Sequence, residues 1–155
     1  YQAFTLANVF TNNQDAFTKN YYLYHEGDGS LPFLIVNWDA DATWGISWDG
    51  TPEDPEGGGI WGTKNGLSKK LAAIDQCQAD YAKDFLAALD GIFAYEITSA
   101  AFAEIAAQVE PDIRFEECRW EKETSFAEQL DVVDNFLQKR PEYLRGLLEA
   151  VSGER

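Results

Sequence analysis

Acidic and tryptophan side chains are concentrated between residues 39 and 61, and they are the residues of this chain best suited to recognition chemistry. Carboxylates attract a basic partner from a distance, while an exposed indole ring supplies the desolvated contact that carries affinity. The first sixty residues hold nine acidic side chains and one lysine. We therefore predict a binding site formed by Asp39, Asp41, Trp44, Trp48, Asp49, Glu53, Asp54, Glu56 and Trp61.

Histidine-based catalysis is not predicted, because His25 is the only histidine and no Gly-x-Ser-x-Gly turn is present. A pair of carboxylates such as Glu26 and Asp39 could perform acid–base chemistry on a glycosidic bond, with tryptophan as a sugar platform. Carboxylates are so abundant in this chain that no pair stands out. The sequence therefore identifies no catalytic residue.

Defined metal and nucleotide motifs are also missing from the sequence. Asp39 and Asp41 occupy the first and third positions of an EF-hand register, but its sixth position is Trp44 and its twelfth is Gly50. The glycine run at residues 57–59 matches neither a P-loop nor a strand–GxGxxG–helix unit. We predict no metal site and no cofactor, and leave open a looser cation site in the acidic turns.

The overall charge limits the kinds of partner. Twenty-seven acidic and twelve basic side chains give a net charge of -15 over 155 residues. Such a surface repels nucleic acid and attracts basic proteins. No apolar run approaches the length of a membrane span, so no membrane insertion is expected. The predicted partner is a basic protein, such as a toxin or an enzyme.

The two cysteines, Cys77 and Cys118, leave two alternatives open. In an oxidising compartment a disulfide between them would close a loop of about forty residues and add roughly 3–4 kcal/mol of stability. As free thiols they would be small core residues. The expected location is periplasmic or secreted if the disulfide forms, and cytoplasmic otherwise.

Periodicity divides the chain into two parts. Period-two patterns predict strands at residues 4–10 and 43–48, and the apolar and aromatic runs at residues 21–25 and 33–38 predict two more. Short turns at residues 27–30 and 39–42 favour antiparallel pairing. An irregular acidic loop follows at residues 49–59. Helical spacing then predicts one long helix over residues 68–89, ended by Asp90-Gly91, and a second over residues 99–109 that stops before Pro111.

Two further helices are predicted near the carboxy terminus. Ser125 and Glu128 form a capping box, and Pro141 suits the first position of a fourth helix. The resulting fold class is α+β, with an antiparallel sheet of about four strands packed by about four C-terminal helices. We expect a single domain over residues 1–155, with a β-rich part at 1–63 and an α-rich part at 64–155.

The second half of the chain carries a family resemblance. Its features are Cys77, the Asp-Phe-Leu-Ala-Ala-Leu-Asp-Gly run at residues 84–91, Cys118, the helix at residues 129–137, and the Arg-Pro-Glu step at residues 140–142. In this order, residues 77–151 resemble small periplasmic immunity proteins that neutralise type VI secretion amidase toxins. The resemblance implies an inhibitor of a partner protein.

These observations favour a binding module over an enzyme. We predict an acidic protein-binding module, an inhibitor or immunity-type protein that masks a basic site on its partner. The alternative is a carboxylate-dependent hydrolase or a carbohydrate-binding protein that uses the acidic tryptophan-rich loop. A deep pocket lined by carboxylates would favour the enzyme, and a convex acidic face would favour the binding module.

Overall fold

Helices form most of this α+β protein, and one antiparallel hairpin contributes the strands of its described residues. The computed structural model describes residues 1–120 and 124–153. The helices are α1 (Gln2–Phe10), α2 (Gly66–Ala72), α3 (Asp75–Asp90), α4 (Tyr95–Arg119) and α5 (Phe126–Gly153). The strands are β1 (Tyr21–Tyr24) and β2 (Leu34–Asn37), and Asp15–Phe17 forms a short 3-10 turn. The predicted α+β class is confirmed, but the predicted four strands are not.

The strand predicted at residues 4–10 is wrong, because this segment is helix α1. Its buried side chains include Thr5, Asn8 and Val9, which have the three- and four-residue spacing of a helical face. The Thr5 hydroxyl also donates to the Tyr1 carbonyl at 3.1 Å. Phe4, Leu6 and Phe10 lie at even intervals, and such spacing occurs in helices as well as in strands. This spacing alone therefore could not distinguish a helix from a strand.

The hairpin confirms two of the predicted strands. Strands β1 and β2 pair antiparallel, with Tyr21 opposite Asn37. Tyr22 and Leu23 point to opposite faces of the hairpin, and they are 62% and 57% exposed. The hairpin therefore projects from the helices and does not form the broad sheet layer that we predicted beneath them.

The strand predicted at residues 43–48 is also wrong, because the chain turns there. Trp44 and Gly45 have φ angles of 60° and 83°, in the left-handed region that ends an extended backbone. A Cβ at Gly45 would lie 2.9 Å from a ring carbon of Phe136, so glycine is required for this close approach. Only an isolated bridge between Ile46 and Pro52 gives this segment β pairing.

The long helix predicted over residues 68–89 is divided in two. Helix α2 ends at Ala72 and helix α3 begins at Asp75. The Asn65 side chain caps α2 by accepting from the backbone N–H of Leu67 at 2.9 Å. The predicted end at Asp90 is confirmed, because Gly91 is the C-cap of α3.

The two predicted helix boundaries at proline are wrong. Helix α4 continues through Pro111 to Arg119, and helix α5 continues through Pro141. A proline removes one helical hydrogen bond at a cost of about 3 kcal/mol, which a well-packed helix can absorb. Leu137 and Leu144 are buried on either side of Pro141, so packing holds α5 together across it.

Helix α5 lies at the centre of the packing and contacts α1, α3 and α4. Phe10, Phe85, Leu144 and Leu148 are fully buried in the main cluster, which brings these helices together. Over residues 1–120 and 124–153, no single helix is long and apolar enough to cross a membrane, and only α3 and α4 taken as a bent pair reach that length and composition.

The capping box at the start of α5 is confirmed. The Ser125 hydroxyl accepts from the Glu128 N–H at 3.2 Å, and the Glu128 carboxylate accepts from the Ser125 N–H at 2.7 Å. Replacing Ser125 by Ala should lower the free energy of unfolding by about 1 kcal/mol, since it leaves N–H groups of the first turn without a protein partner. Urea denaturation measures this, with Ser99→Ala on α4 as the control. An equal change in both variants would contradict the cap.

Candidate functional site

The loop between α1 and β1, residues 11–20, pairs Asp15 with Lys19 and connects Asn20 to the end of β2. We call it the Asp15 loop. Lys19 Nζ lies 2.9 Å from Asp15 Oδ2. The hydrogen bond and charge of Asp15 raise the pKa of Lys19, and the charges of Asp39 and Asp41 raise it further. The Lys19 ammonium group is therefore paired with Asp15 and also feels the charge of two further carboxylates.

Asn20 connects the Asp15 loop to the end of β2. Its side chain is buried, and its Nδ2 donates to the Asp39 carbonyl at 3.4 Å. The backbone carbonyl of Asn20 accepts from the Trp38 N–H at 3.3 Å. Asp39 has a φ angle of 57°, which is uncommon outside glycine and recurs at functional sites. The side-chain amide of Asn20 is thus bonded to the backbone of Asp39, and this contact joins the Asp15 loop to the end of β2.

Amide side chains order the rest of the Asp15 loop. Asn13 Oδ1 accepts from the Ala16 N–H at 3.2 Å and so caps the 3-10 turn that carries Asp15. Asn37 Nδ2 donates to Asn8 Oδ1 at 3.1 Å, which ties β2 to α1. The result is a polar loop whose backbone is fixed from both sides, as a precise reaction geometry requires.

A cleft of about 490 Å³ opens beside Asp15. One wall is the Asp15 loop, and the other is formed by Ser47 and Trp48 together with Glu53 of the acidic loop. Asn12 Nδ2 donates to Glu53 Oε2 at 3.0 Å, and Gln14 Nε2 donates to Asn12 Oδ1 at 2.9 Å. A chain of amides therefore links the two walls. Trp48 is 83% exposed at the cleft and offers a large apolar face to a ligand.

The remaining acidic residues of the predicted site lie on the surface. Asp49 accepts from the Thr51 hydroxyl at 2.7 Å, and Asp54 accepts from the Glu56 N–H at 2.9 Å. Both carboxylates stabilise turns of the acidic loop, and the bonds from Thr51 lower the pKa of Asp49. Glu56 itself is exposed.

Two of the predicted tryptophans pack against the core. Trp44 contacts the rings of Phe10 and Phe136, with centroid distances of 6.0 and 6.5 Å. Trp61 stacks on Tyr81 with a centroid distance of 4.1 Å. The structure therefore brings Asp39, Asp41, Trp48 and Glu53 to the surroundings of the Asp15 loop, and packs Trp44 and Trp61 against the core.

Sequence reasoning missed Asp15, Lys19 and Asn20. The available signal was the spacing of an Asp and an Asn five residues apart, immediately before a predicted hairpin that ends in another Asp. Acid density drew the prediction to residues 39–56, where carboxylates are more numerous.

The donor set suits a hard divalent cation. Among the residues that the structure describes, no three His, Cys, Asp or Glu side chains are grouped closely enough to enclose a metal ion. Mg²⁺ does not require such a cage, because it commonly uses one or two carboxylates together with substrate phosphates. The Asn20 amide oxygen and the Asp39 carboxylate are ligand atoms of the kind that Mg²⁺ prefers, and the two residues are joined through the Asp39 backbone carbonyl.

The disulfide alternative is wrong, because Cys77 and Cys118 are free thiols, and the core-residue alternative is wrong for Cys118, which is exposed. Cys77 lies near the start of α3, while Cys118 lies near the far end of the long helix α4. A rise of 1.5 Å per residue places Cys118 about 34 Å along α4 from Tyr95. The helical geometry thus carries Cys118 away from the junction with α3.

The chain matches known proteins over most of its length. A family model described as "CotH kinase protein" matches residues 1–144. The chain is also 26% identical over 137 residues to "Inner spore coat protein H" of Bacillus subtilis (strain 168). That alignment covers 88% of this chain and 37% of the relative, so the chain spans little more than a third of the relative's length.

These matches overturn the resemblance to type VI immunity proteins and the inhibitor function that it implied. The quoted features of residues 77–151 describe capped amphipathic helices and a proline step, which unrelated helical proteins share. The family match instead covers the Asp15 loop, the hairpin and the cleft. The chain belongs to the CotH kinase protein family.

Proposed function

We propose that this chain carries the acid–base and metal-binding residues of a kinase-type phosphotransferase. The observation that carries the proposal is the arrangement of Asp15, Asn20 and Asp39. In protein kinases the catalytic-loop Asp is followed five residues later by a metal-binding Asn, and a second metal-binding Asp comes later in the chain. Asp15 and Asn20 have this spacing, and Asn20 is bonded to Asp39. The family match supports the same chemistry.

The local sequence departs from the protein-kinase pattern on either side of these residues. Asn13 and Gln14 stand where those kinases have His and Arg, and Ala40-Asp41 follows Asp39 where they have Phe-Gly. The proposal therefore depends on the three residues and their bonding, and not on a complete motif.

Asp15 is the proposed general base. Its carboxylate accepts the proton of an acceptor hydroxyl while the hydroxyl oxygen forms a bond to the γ-phosphorus of ATP. The bond from that phosphorus to the bridging β–γ oxygen breaks, and ADP leaves with the electron pair. Lys19 stays protonated beside Asp15, where its charge stabilises the transferring phosphoryl group.

Asn20 and Asp39 are the proposed metal-binding residues. Mg²⁺ bound there would neutralise the charge of the β- and γ-phosphates. The bond from Asn20 Nδ2 to the Asp39 carbonyl turns the amide so that its oxygen is the available ligand atom. This orientation is fixed by burial of the Asn20 side chain.

The experiment that tests the proposal is a phosphoryl-transfer assay with the complete protein. Radiolabelled γ-phosphate from ATP should pass to a lysine- and serine-rich peptide when Mg²⁺ is present, and transfer should stop when EDTA removes the metal. Absence of transfer to every hydroxyl-bearing acceptor, including the protein itself, would sink the proposal.

We also propose that the acceptor is a basic protein. The net charge of -15 and the carboxylates that line the cleft support a basic partner, because they raise its local concentration and its association rate. The exposed ring of Trp48 supplies an apolar contact at the same place.

Removing four charges from the acidic loop should slow association with the lysine- and serine-rich peptide by about 10-fold at low salt and reduce its salt dependence. The variant combines Asp49→Asn, Glu53→Gln, Asp54→Asn and Glu56→Gln, which keep the side-chain acceptors of the turns. Stopped-flow or surface plasmon resonance measures the rates. The control removes four carboxylates from α4 (Glu96, Glu104, Asp112 and Glu116). Equal slowing in both variants would mean that net charge alone attracts the peptide.

The location is proposed from the relative's name. Because that relative is named as an inner spore coat protein, we propose the spore coat as the place of action. The periplasmic or secreted alternative depended on a disulfide between Cys77 and Cys118, and both thiols are free.

A further inference from the structure

We propose that Arg140 is a positioning residue for the Asp15 loop, and this inference rests on the proposed phosphoryl transfer. Arg140 lies on α5, far along the chain from Asp15. Its guanidinium group joins the end of α1 to the acidic loop, so that both walls of the cleft are held by one side chain. No property of its local sequence indicates this role.

The hydrogen bonds of Arg140 divide between two segments. Nε donates to the Phe10 carbonyl at 3.2 Å and Nη2 donates to the Val9 carbonyl at 2.6 Å. Nη1 donates to the Pro55 carbonyl at 2.8 Å and to the Gly57 carbonyl at 2.6 Å. The fixed fork of the guanidinium group makes such simultaneous bonding possible.

The environment of Arg140 is unusual for a charged side chain. The residue is 0% exposed, and all four partners are backbone carbonyls. Burial lowers its pKa to about 10, while the Tyr143 hydroxyl and the charge of Asp54 oppose the decrease. The group therefore stays charged at neutral pH. The rings of Phe136 and Tyr143 lie 5.8 and 5.6 Å from its central carbon.

The carbonyls at the end of α1 explain why a cation is useful there. The last carbonyls of a helix lack partners within the helix and carry its negative dipole end. Arg140 supplies donors to two of them, immediately before the Asp15 loop begins. Since Val9 and Phe10 are anchored to α5 in this way, the loop starts from a fixed point.

The acidic loop is anchored by the same helix. Arg140 holds Pro55 and Gly57, and the Tyr143 hydroxyl donates to the Gly58 carbonyl at 2.6 Å. Glu53, two residues before Pro55, accepts from Asn12 of the Asp15 loop. A displacement of Arg140 would therefore shift both ends of the Asn12–Glu53 bond. Gln14, which precedes Asp15 and donates to the Asn12 side chain, would move with Asn12.

The test compares Arg140→Lys with the wild-type complete protein. Lysine keeps the charge, but its three N–H groups all radiate from one nitrogen and cannot reproduce the guanidinium fork that bonds four carbonyls. We expect kcat for transfer from MgATP to the lysine- and serine-rich peptide to fall about 10–100-fold, as a displacement of about 1 Å would cause. The KM for ATP should change less than twofold, because Arg140 contacts neither Asn20 nor Asp39.

Hydrogen exchange supplies a readout that does not depend on activity. In Arg140→Lys the amides of residues 11–20 and 53–58 should exchange faster, while those of α3 stay protected. Arg145→Lys is the matched control, because Arg145 lies on the same helix and its Nη2 bonds Asp90 at 2.6 Å on the surface. The control should alter neither kcat nor exchange in the two segments.

The outcomes separate this inference from the proposed function. If both segments exchange faster in Arg140→Lys but the wild-type protein transfers no phosphate, the proposed function is wrong. The role of Arg140 in holding the two segments would then still stand. If Arg140→Lys exchanges at the wild-type rate in both segments, the inference is overturned. It is also overturned if exchange becomes faster throughout the protein and kcat falls only in proportion to the fraction of folded molecules. If Arg140→Lys does not fold, Tyr143→Phe should give a smaller change in the same direction, and no change would overturn the inference.

Discussion

Replacing Asp15 by Asn should reduce kcat for phosphoryl transfer by about 10²–10⁴-fold, the range expected when a general base is removed. Asparagine has the same shape as aspartate but cannot accept the proton of the acceptor hydroxyl. The fold should persist, because the pair with Lys19 is solvent-exposed and such pairs contribute about 0–1 kcal/mol. The measurement is steady-state transfer from radiolabelled ATP at saturating Mg²⁺, ATP and acceptor, together with a urea denaturation curve.

Asp28→Asn is the matched control for this variant. Asp28 is an exposed carboxylate in the hairpin turn, where it accepts from the Ser30 N–H at 2.9 Å. Its loss should leave transfer unchanged. If Asp15→Asn retains more than a tenth of the wild-type kcat, then Asp15 does not act as the base and the chemistry lies elsewhere in the protein.

Local patterns predicted the hairpin and the ends of several helices, because these depend on neighbouring residues. The turn at residues 27–30 and the flanking apolar runs were sufficient for β1 and β2. Gly91 ended α3 as expected, and Ser125 and Glu128 capped α5. Each of these features is decided within a few residues of chain.

The wrong predictions arose where distant packing decides the structure. Helix α5 passes through Pro141 because Leu137 and Leu144 are buried on both sides of the proline, which only the folded chain reveals. The turn at Gly45 is required by the approach of Phe136, ninety-one residues away along the sequence. Periodicity carries no information about such contacts.

The candidate site was predicted only in part for the same reason. Asp39 and Asp41 were included in the predicted binding site because acidic turns are visible in any sequence window. Asp15 and Asn20 are single residues in an ordinary polar loop, and their meaning comes from the bond between Asn20 and Asp39 across the hairpin. Arg140 was predicted only as the residue before a fourth helix, whereas it lies inside α5 and its guanidinium group is fully buried.

Replacing Phe10 by Ala should lower the free energy of unfolding by about 3–5 kcal/mol, the usual cost of removing a buried phenylalanine. Phe10 is 0% exposed, and its ring stacks on Phe93 with a centroid distance of 4.0 Å. Domains of this size are typically stable by about 5–15 kcal/mol, so the variant should be close to unfolding. Urea denaturation measures the change, and Phe10→Leu should cost less because leucine fills part of the cavity.

Phe115→Ala is the control that gives this prediction its meaning. Phe115 has the same side chain, but it is 75% exposed on α4, so its removal should change stability by less than about 0.5 kcal/mol. Because Phe10 also presents its carbonyl to Arg140, loss of its ring loosens the point from which the Asp15 loop starts. Phosphoryl transfer by Phe10→Leu should therefore fall even where the protein is fully folded. A cost below about 1 kcal/mol for Phe10→Ala would contradict both the helical packing of α1 and the anchoring of the loop that follows it.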